Sequence, residues 1–296
     1  MRKIIFIAIL SLLCIGVQGR ELLPRKGTNG KYGFVDSGGA TAVECRYDAA
    51  RGFAGGFAVV RLNGKYGYIN RTGTEITPLE YDRAWGFSEG MALVGLDGKW
   101  GFIDTAGTQI VPLQYDEAGS FSEGLAPVKS DGKWGFIDAA GKKVIAFKYE
   151  KAGGFSEGLA FVCLNGKWGA VNRTGKKIVP FRYDAASGFS EGLAPVKSGR
   201  EWGFIDRNGA EAIPCEYHTV SRFFDGLARV TLNGKYGYID KTGKAVTFVI
   251  YDWAGEFFNG RALVKSNGKY GYIDKTGKEA IPMSSSVQIA YEKSRM

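Results

Sequence analysis

The chain has 296 residues, 45% of them hydrophobic and 23% charged, with a formal charge of +9, 44 glycines and a single histidine. That is enough apolar material for a sizeable core, and it leaves little from which to build histidine-based catalysis or a histidine metal site. The lysines and arginines are spread along the whole chain instead of forming one basic segment, which argues against nucleic acid as a partner.

Residues 1–19 read as a secretory leader. Arg2 and Lys3 precede an apolar run from Ile4 to Val17, and Val17-Gln18-Gly19 offers a cleavage site before Arg20. The run is short of the ~20 residues a membrane span needs, so an uncleaved anchor is the lesser reading. Leu12 and Leu13 before Cys14 disfavour lipid attachment. Cleavage would leave residues 20–296 as one repeat domain with a charge of +7, the leader having carried two cations. No later segment is apolar enough to span a bilayer, so the expected location is the periplasm, the cell surface or the medium.

From there the chain repeats itself. Gly-Lys-Trp-Gly-Phe-Ile-Asp and its variants return every 34 residues, with the aromatic at Tyr32, Tyr66, Trp100, Trp134, Trp168, Trp202, Tyr236 and Tyr270. Eight copies in unbroken phase define an array whose units are too small to fold alone.

The copy from Leu125 to Tyr149 shows how one unit folds. Leu125-Ala126-Pro127-Val128-Lys129 alternates, Asp131-Gly132 turns, and Lys133 to Asp138 is aromatic and branched. A second turn at Ala139-Ala140-Gly141 leads into Lys142 to Tyr149. Asn-Gly or Asp-Gly at the first turn, as in Asn63-Gly64, Asp97-Gly98, Asn165-Gly166, Asn233-Gly234 and Asn267-Gly268, supplies the two positive-φ residues of a type I′ hairpin. Gly199-Arg200 in the sixth copy suits type II′. These signals predict three antiparallel strands per repeat. The same period occurs in helical tetratricopeptide arrays, but the glycines and prolines of each copy and the lack of a 3.6-residue apolar period exclude that reading.

Fixed columns run through the copies. One glycine follows each repeat aromatic, as at Gly135, and is expected to let a neighbouring repeat's ring lie on bare backbone. Between strands runs Tyr-Asp-x-Ala-x-x-Phe-Ser-Glu-Gly, with tyrosine at Tyr115 and phenylalanine at Phe121 and their 34-residue equivalents. Such identical layers are expected to be buried between adjacent units.

These motifs resemble the WG-repeat family of bacterial proteins, also described as KWG repeats, over about residues 22 to 283. The resemblance implies a module for binding or scaffolding, with no catalytic residues attached to the motif. Tyrosine replaces tryptophan in copies one, two, seven and eight, and Ala170 replaces the usual aromatic in copy five.

The fold class expected is therefore all-β, eight three-stranded repeats. A propeller-like ring is preferred to an open solenoid because eight copies are close to a natural closure number. Leu22 to Lys26 is a degenerate first strand and Val287 to Tyr291 an apolar remnant, ends that suit either arrangement.

No catalytic, cofactor or metal constellation emerges. His218 replaces the aspartate of Tyr-Asp and reads as a drifted turn residue. Asp104, Asp138, Asp206, Glu89, Glu123, Glu157 and Glu191 recur once per repeat beside turns and are expected to cap backbone N–H groups. Cys45, Cys163 and Cys215, an odd number in a leaderless chain, are expected to be small buried residues and not a disulfide framework. Trp85 and Trp253 stand at columns that other copies fill with small or polar residues, and are the candidate ligand-binding pair. Replacing both with alanine is expected to weaken binding and leave the melting temperature nearly unchanged. The expected role is non-enzymatic: holding a protein partner at the cell envelope, with a cell-wall or exopolysaccharide glycan as the alternative ligand.

Overall fold

The structure, a computed structural model, describes residues 21–284. The leader at 1–19, with Cys14, and the remnant Val287 to Tyr291 lie outside the described residues. Among the described residues all regular structure is β, and no helix is long and apolar enough to cross a membrane.

Two compact units are present, one ending at Glu80 and one beginning at Tyr81. The first contains two three-stranded sheets: Leu22–Lys26, Tyr32–Asp36 and Thr41–Tyr47, then Ala49–Ala50, Phe57–Leu62 and Lys65–Asn70. Leu22–Lys26, though degenerate in sequence, pairs along its whole length with Tyr32–Asp36. The second unit contains six sheets, each of four strands in sequential order.

In the sheet of the type copy the strands are Glu117–Ala118, Leu125–Ser130, Lys133–Asp138 and Lys143–Tyr149. The last three are those that the turn chemistry predicts. The first comes from the connecting segment, where Glu117 and Ala118 pair with Lys129 and Val128. Two residues are too few to show a strand period, so three strands per repeat becomes four in this unit.

Turn residues behave as their chemistry demands. Asn63, Asp97, Asp131, Asn165, Asn233 and Asn267 have φ of 49–52°, each followed by a positive-φ glycine. In the sixth copy Gly199 alone is positive, at 64°, in keeping with type II′.

The glycine after each repeat aromatic has a different role from the one expected. A Cβ on Gly135 would stand 2.6 Å from the Ile145 carbonyl oxygen and 2.3 Å from the Phe147 ring, both on the next strand of the same sheet. Gly101 and Gly203 likewise face Val111 and Ile213 carbonyls at 2.5 Å. The pairing slips there: Trp134 faces Tyr149 and Phe136 faces Ile145, so three residues bulge over Gly135. The close approach is real, but it lies within a sheet.

Contact between repeats is made by side chains. Phe102 packs on Phe121 at 4.8 Å, Phe136 on Phe155 at 5.0 Å and Phe204 on Phe223 at 4.8 Å, each pair joining one sheet to the segment opening the next. The core clusters follow the same rule. Phe102, Val111 and Tyr115 join Phe121, Val128 and Ile137 of the following sheet, and Phe136, Ile145 and Tyr149 join Phe155, Val162 and Val171. Burying one such side chain stabilises the fold by about 1.5–3 kcal/mol, and neither sheet of a pair can supply that interface alone.

Candidate functional site

One margin of the second unit carries the Phe-Ser-Glu-Gly segments. Each opens a two-residue hairpin in which glutamate takes positive φ: 52° at Glu89 and Glu123, 53° at Glu157 and 55° at Glu191. A β-substituted residue resists that conformation, and the carboxylates offset the cost. The Glu123 and Gly124 N–H groups donate to the Glu89 carboxylate at 2.7 and 2.8 Å, and Gly158 N–H donates to Glu123 at 2.9 Å. Gly192 N–H donates to Glu157 and Gly226 N–H to Glu191, both at 3.0 Å. Each carboxylate thus ties its own turn to the next. The turn aspartates cap in the same way: Asp104, Asp138 and Asp206 each accept two backbone N–H groups of their own turn.

A second carboxylate column braces the hairpins on the other margin. Lys99 donates to Asp116 at 2.8 Å and Lys167 to Asp184 at 2.6 Å, while Gly132 and Gly199 N–H groups donate to the same aspartates. The lysine first, then the backbone N–H, holds both carboxyls below the usual aspartate range.

Against this regular frame the Phe-Ser-Glu-Gly column breaks twice. Copies three to six have Ser88, Ser122, Ser156 and Ser190, whereas copies seven and eight have Phe224 and Phe258. Both rings face water, 59% and 74% exposed. With Ser190, Ser221, Arg222 and Glu256 they line a cleft of about 580 Å³. Phe223 and Phe257, buried, form its floor. Arg222, where copies two to six have glycine or serine and copy eight has Glu256, also borders a second cleft of about 430 Å³ running past Ser187, Gly188, Phe155 and Trp168. Glu256 is held at 3.1 Å by Arg229, which also donates to the Ala254 carbonyl at 2.7 Å. Arg222 has no ion-pair partner among the described residues. The site is thus two exposed rings beside an available guanidinium, an arrangement suited to binding an apolar group next to an anion.

The sequence reading passed over this pair, although the rule that singles out Trp85 and Trp253 also applies to Phe224 and Phe258. Neither tryptophan lines the cleft. Trp85 lies on Arg83–Ser88, 37% exposed, its ring edge-on to Trp100 at 5.0 Å. Trp253 lies half-buried on Trp253–Ala254, its ring against Gly255. The structure places them in different sheets and brings them to no common site.

His218 lies across from Glu201, its Nε2 at 3.8 Å from the carboxylate. Cys163 is buried, Cys45 and Cys215 are half-buried, and all three are free thiols. Burial pushes the Cys163 and Cys215 thiols up, away from the reactive thiolate. Among the described residues no three His, Cys, Asp or Glu side chains gather as a metal site.

A family model described as a WG containing repeat matches residues 32–66, 66–100, 100–134, 134–168, 168–200, 202–236, 236–270 and 270–283. No curated protein matches the sequence. Among solved structures, that of a eukaryotic initiation factor is similar at a TM-score of 0.61 and 12% identity, over 90% of this chain and 85% of that one. Hsv2 of Kluyveromyces lactis is similar at a TM-score of 0.46 and 7% identity, over 78% of this chain and 94% of that one. At such identity the first likeness concerns the fold alone, which is all-β and propeller-like.

Proposed function

Because the chain belongs to the family of proteins built from WG-containing repeats, we propose that it is a non-enzymatic binding module of the bacterial cell envelope. Its partner is a protein, held through a segment that places an apolar side chain between Phe224 and Phe258 and a carboxylate on Arg222. The observation that carries this reading is the pair of exposed phenylalanines where sibling repeats have serine. Two rings left in water are a standing cost, and covering each would contribute about 1.5–3 kcal/mol. Export is proposed from residues 1–19, and a mature chain beginning at Arg20 by mass spectrometry is the expected result.

The test is photo-crosslinking in envelope extract from position 190, which lines the same cleft, with Phe224→Ser/Phe258→Ser in the same crosslinking chain as the control. A protein crosslinked by the parent chain and lost in the double variant, whose melting temperature is unchanged, supports the reading. Equal capture by both chains refutes it. A glycan is the second reading, favoured by the exposed edge of Trp85. Retention on a glycan array that Trp85→Ala abolishes and Phe224→Ser/Phe258→Ser does not would move the site to the tryptophan.

A further inference from the structure

The outer margin of the same sheet has also lost its protection. In the sheet of copy seven, Ala245–Tyr251 is the last strand and is hydrogen-bonded on one side only. Sibling strands guard this edge with proline at Pro112, Pro180, Pro214 and Pro282, and with a polar or charged residue two places on, Gln114, Arg182 or Glu216. Proline has no N–H, so its recurrence marks a position where the sheet requires no donor and where a foreign strand would find none. Copy seven has Phe248 and Ile250 at these two positions, 80% and 56% exposed. The edge therefore regains an outward N–H and gains two apolar side chains.

We propose that this chain pairs with a second copy of itself through Ala245–Tyr251, antiparallel about a two-fold axis at Phe248. The strand is self-complementary in that register. Phe248 meets Phe248 and Val246 faces Ile250, so apolar groups match on both sides of the axis. A twofold pairing applies every such match twice, whereas an unrelated strand would have to supply the pattern independently. The bulge between Thr247 and Tyr251, which recurs between Val111 and Tyr115, Ile145 and Tyr149, Val179 and Tyr183, and Ile213 and Tyr217, confines the pairing to a short stretch. Lys235–Asp240 separates this edge from Leu227–Leu232, the strand that Phe224 precedes.

Sedimentation equilibrium of the full chain, from micromolar to submillimolar, tests this. The parent chain should pass from monomer to dimer, and Phe248→Pro/Ile250→Lys should raise the dissociation constant at least about tenfold. The variant reproduces features of sibling sheets and should keep the parent circular dichroism. Phe248→Cys should give a disulfide-linked dimer under mild oxidation, and Ala146→Cys, at the equivalent exposed position of copy four, should not. A parent chain that stays monomeric, a dimer that survives the proline variant, or equal crosslinking at both cysteines overturns the proposal. If the double variant fails to fold, the two cysteine chains decide alone.

Discussion

Phe161 stands directly opposite Ala170 in the strand pair Leu159–Leu164 and Lys167–Asn172, and its ring stacks on Phe189 at 5.4 Å. Copy five thus replaces the aromatic that Ala170 removes, from the facing strand. In copies four and six the same pair is Pro127 with Phe136 and Pro195 with Phe204. Phe161→Ala should therefore cost about 3–5 kcal/mol, as for a buried ring lost into a cavity. Pro127→Ala, beside an intact Phe136, should cost far less. Phe161→Pro with Ala170→Phe should recover most of the loss in urea unfolding, and a double variant no better than Phe161→Ala would reject the exchange.

The carboxylate relay through Glu89, Glu123, Glu157 and Glu191 makes a second prediction. Glu123 accepts Gly158 N–H while its own N–H donates to Glu89, at a φ that disfavours any side chain. Glu123→Ala removes the acceptor and keeps the backbone strain, and should cost about 1–2 kcal/mol. Glu123→Gly removes both and should cost less. Amide hydrogen exchange should accelerate at Gly158, in the neighbouring repeat, in both variants. Protection that changes only within the substituted turn would show that the relay does not link repeats.

Much of this frame was legible in the sequence, because hairpin chemistry is local: Asn-Gly and Asp-Gly fix their turns whatever surrounds them. The buried aromatic columns were legible because stacking repeats the same demand every 34 residues. The strand Glu117–Ala118 was not, since two residues carry no alternation and its pairing with Val128 and Lys129 is decided by how the chain returns to the sheet. Gly135 signalled a close approach, but a single residue cannot say which backbone approaches it. Phe224 and Phe258 were visible as departures from a serine column, yet only their exposure separates them from a core residue such as Phe161.

Acid should loosen the array in a defined window. Asp48, Asp116, Asp184 and Asp252 lie below the ordinary aspartate value of 3.8, through the ammonium groups of Lys31, Lys99, Lys167 and Lys235 and then backbone N–H donors. A folded-state pKa below the unfolded one means that the unfolded chain takes up protons first as pH falls. The stability these groups add is complete above the unfolded value and is lost as pH drops through the lower folded values. The unfolding midpoint should be flat down to about pH 5 and decline below about 4. Asp116→Asn with Asp184→Asn should flatten that limb, and salt should reduce the contribution because these groups face solvent. An acid limb unchanged in the double variant would assign the loss to other carboxylates.

The lysine–carboxylate brace is reversed once. Copy six has Glu201 where seven copies have lysine, and His218 where six copies have aspartate or glutamate, and the two meet at 3.8 Å. One Glu201 oxygen is buried without a hydrogen-bond partner, so the swapped pair is satisfied less fully than its siblings. Glu201→Lys alone sets a lysine against a histidine, and His218→Asp alone sets two carboxylates together. Each should destabilise the chain, whereas the double variant restores the sibling arrangement and should at least match the parent. The coupling in that cycle should be of order 0.5–1 kcal/mol for an exposed pair. Additive single effects would mean that the two residues do not act as a pair.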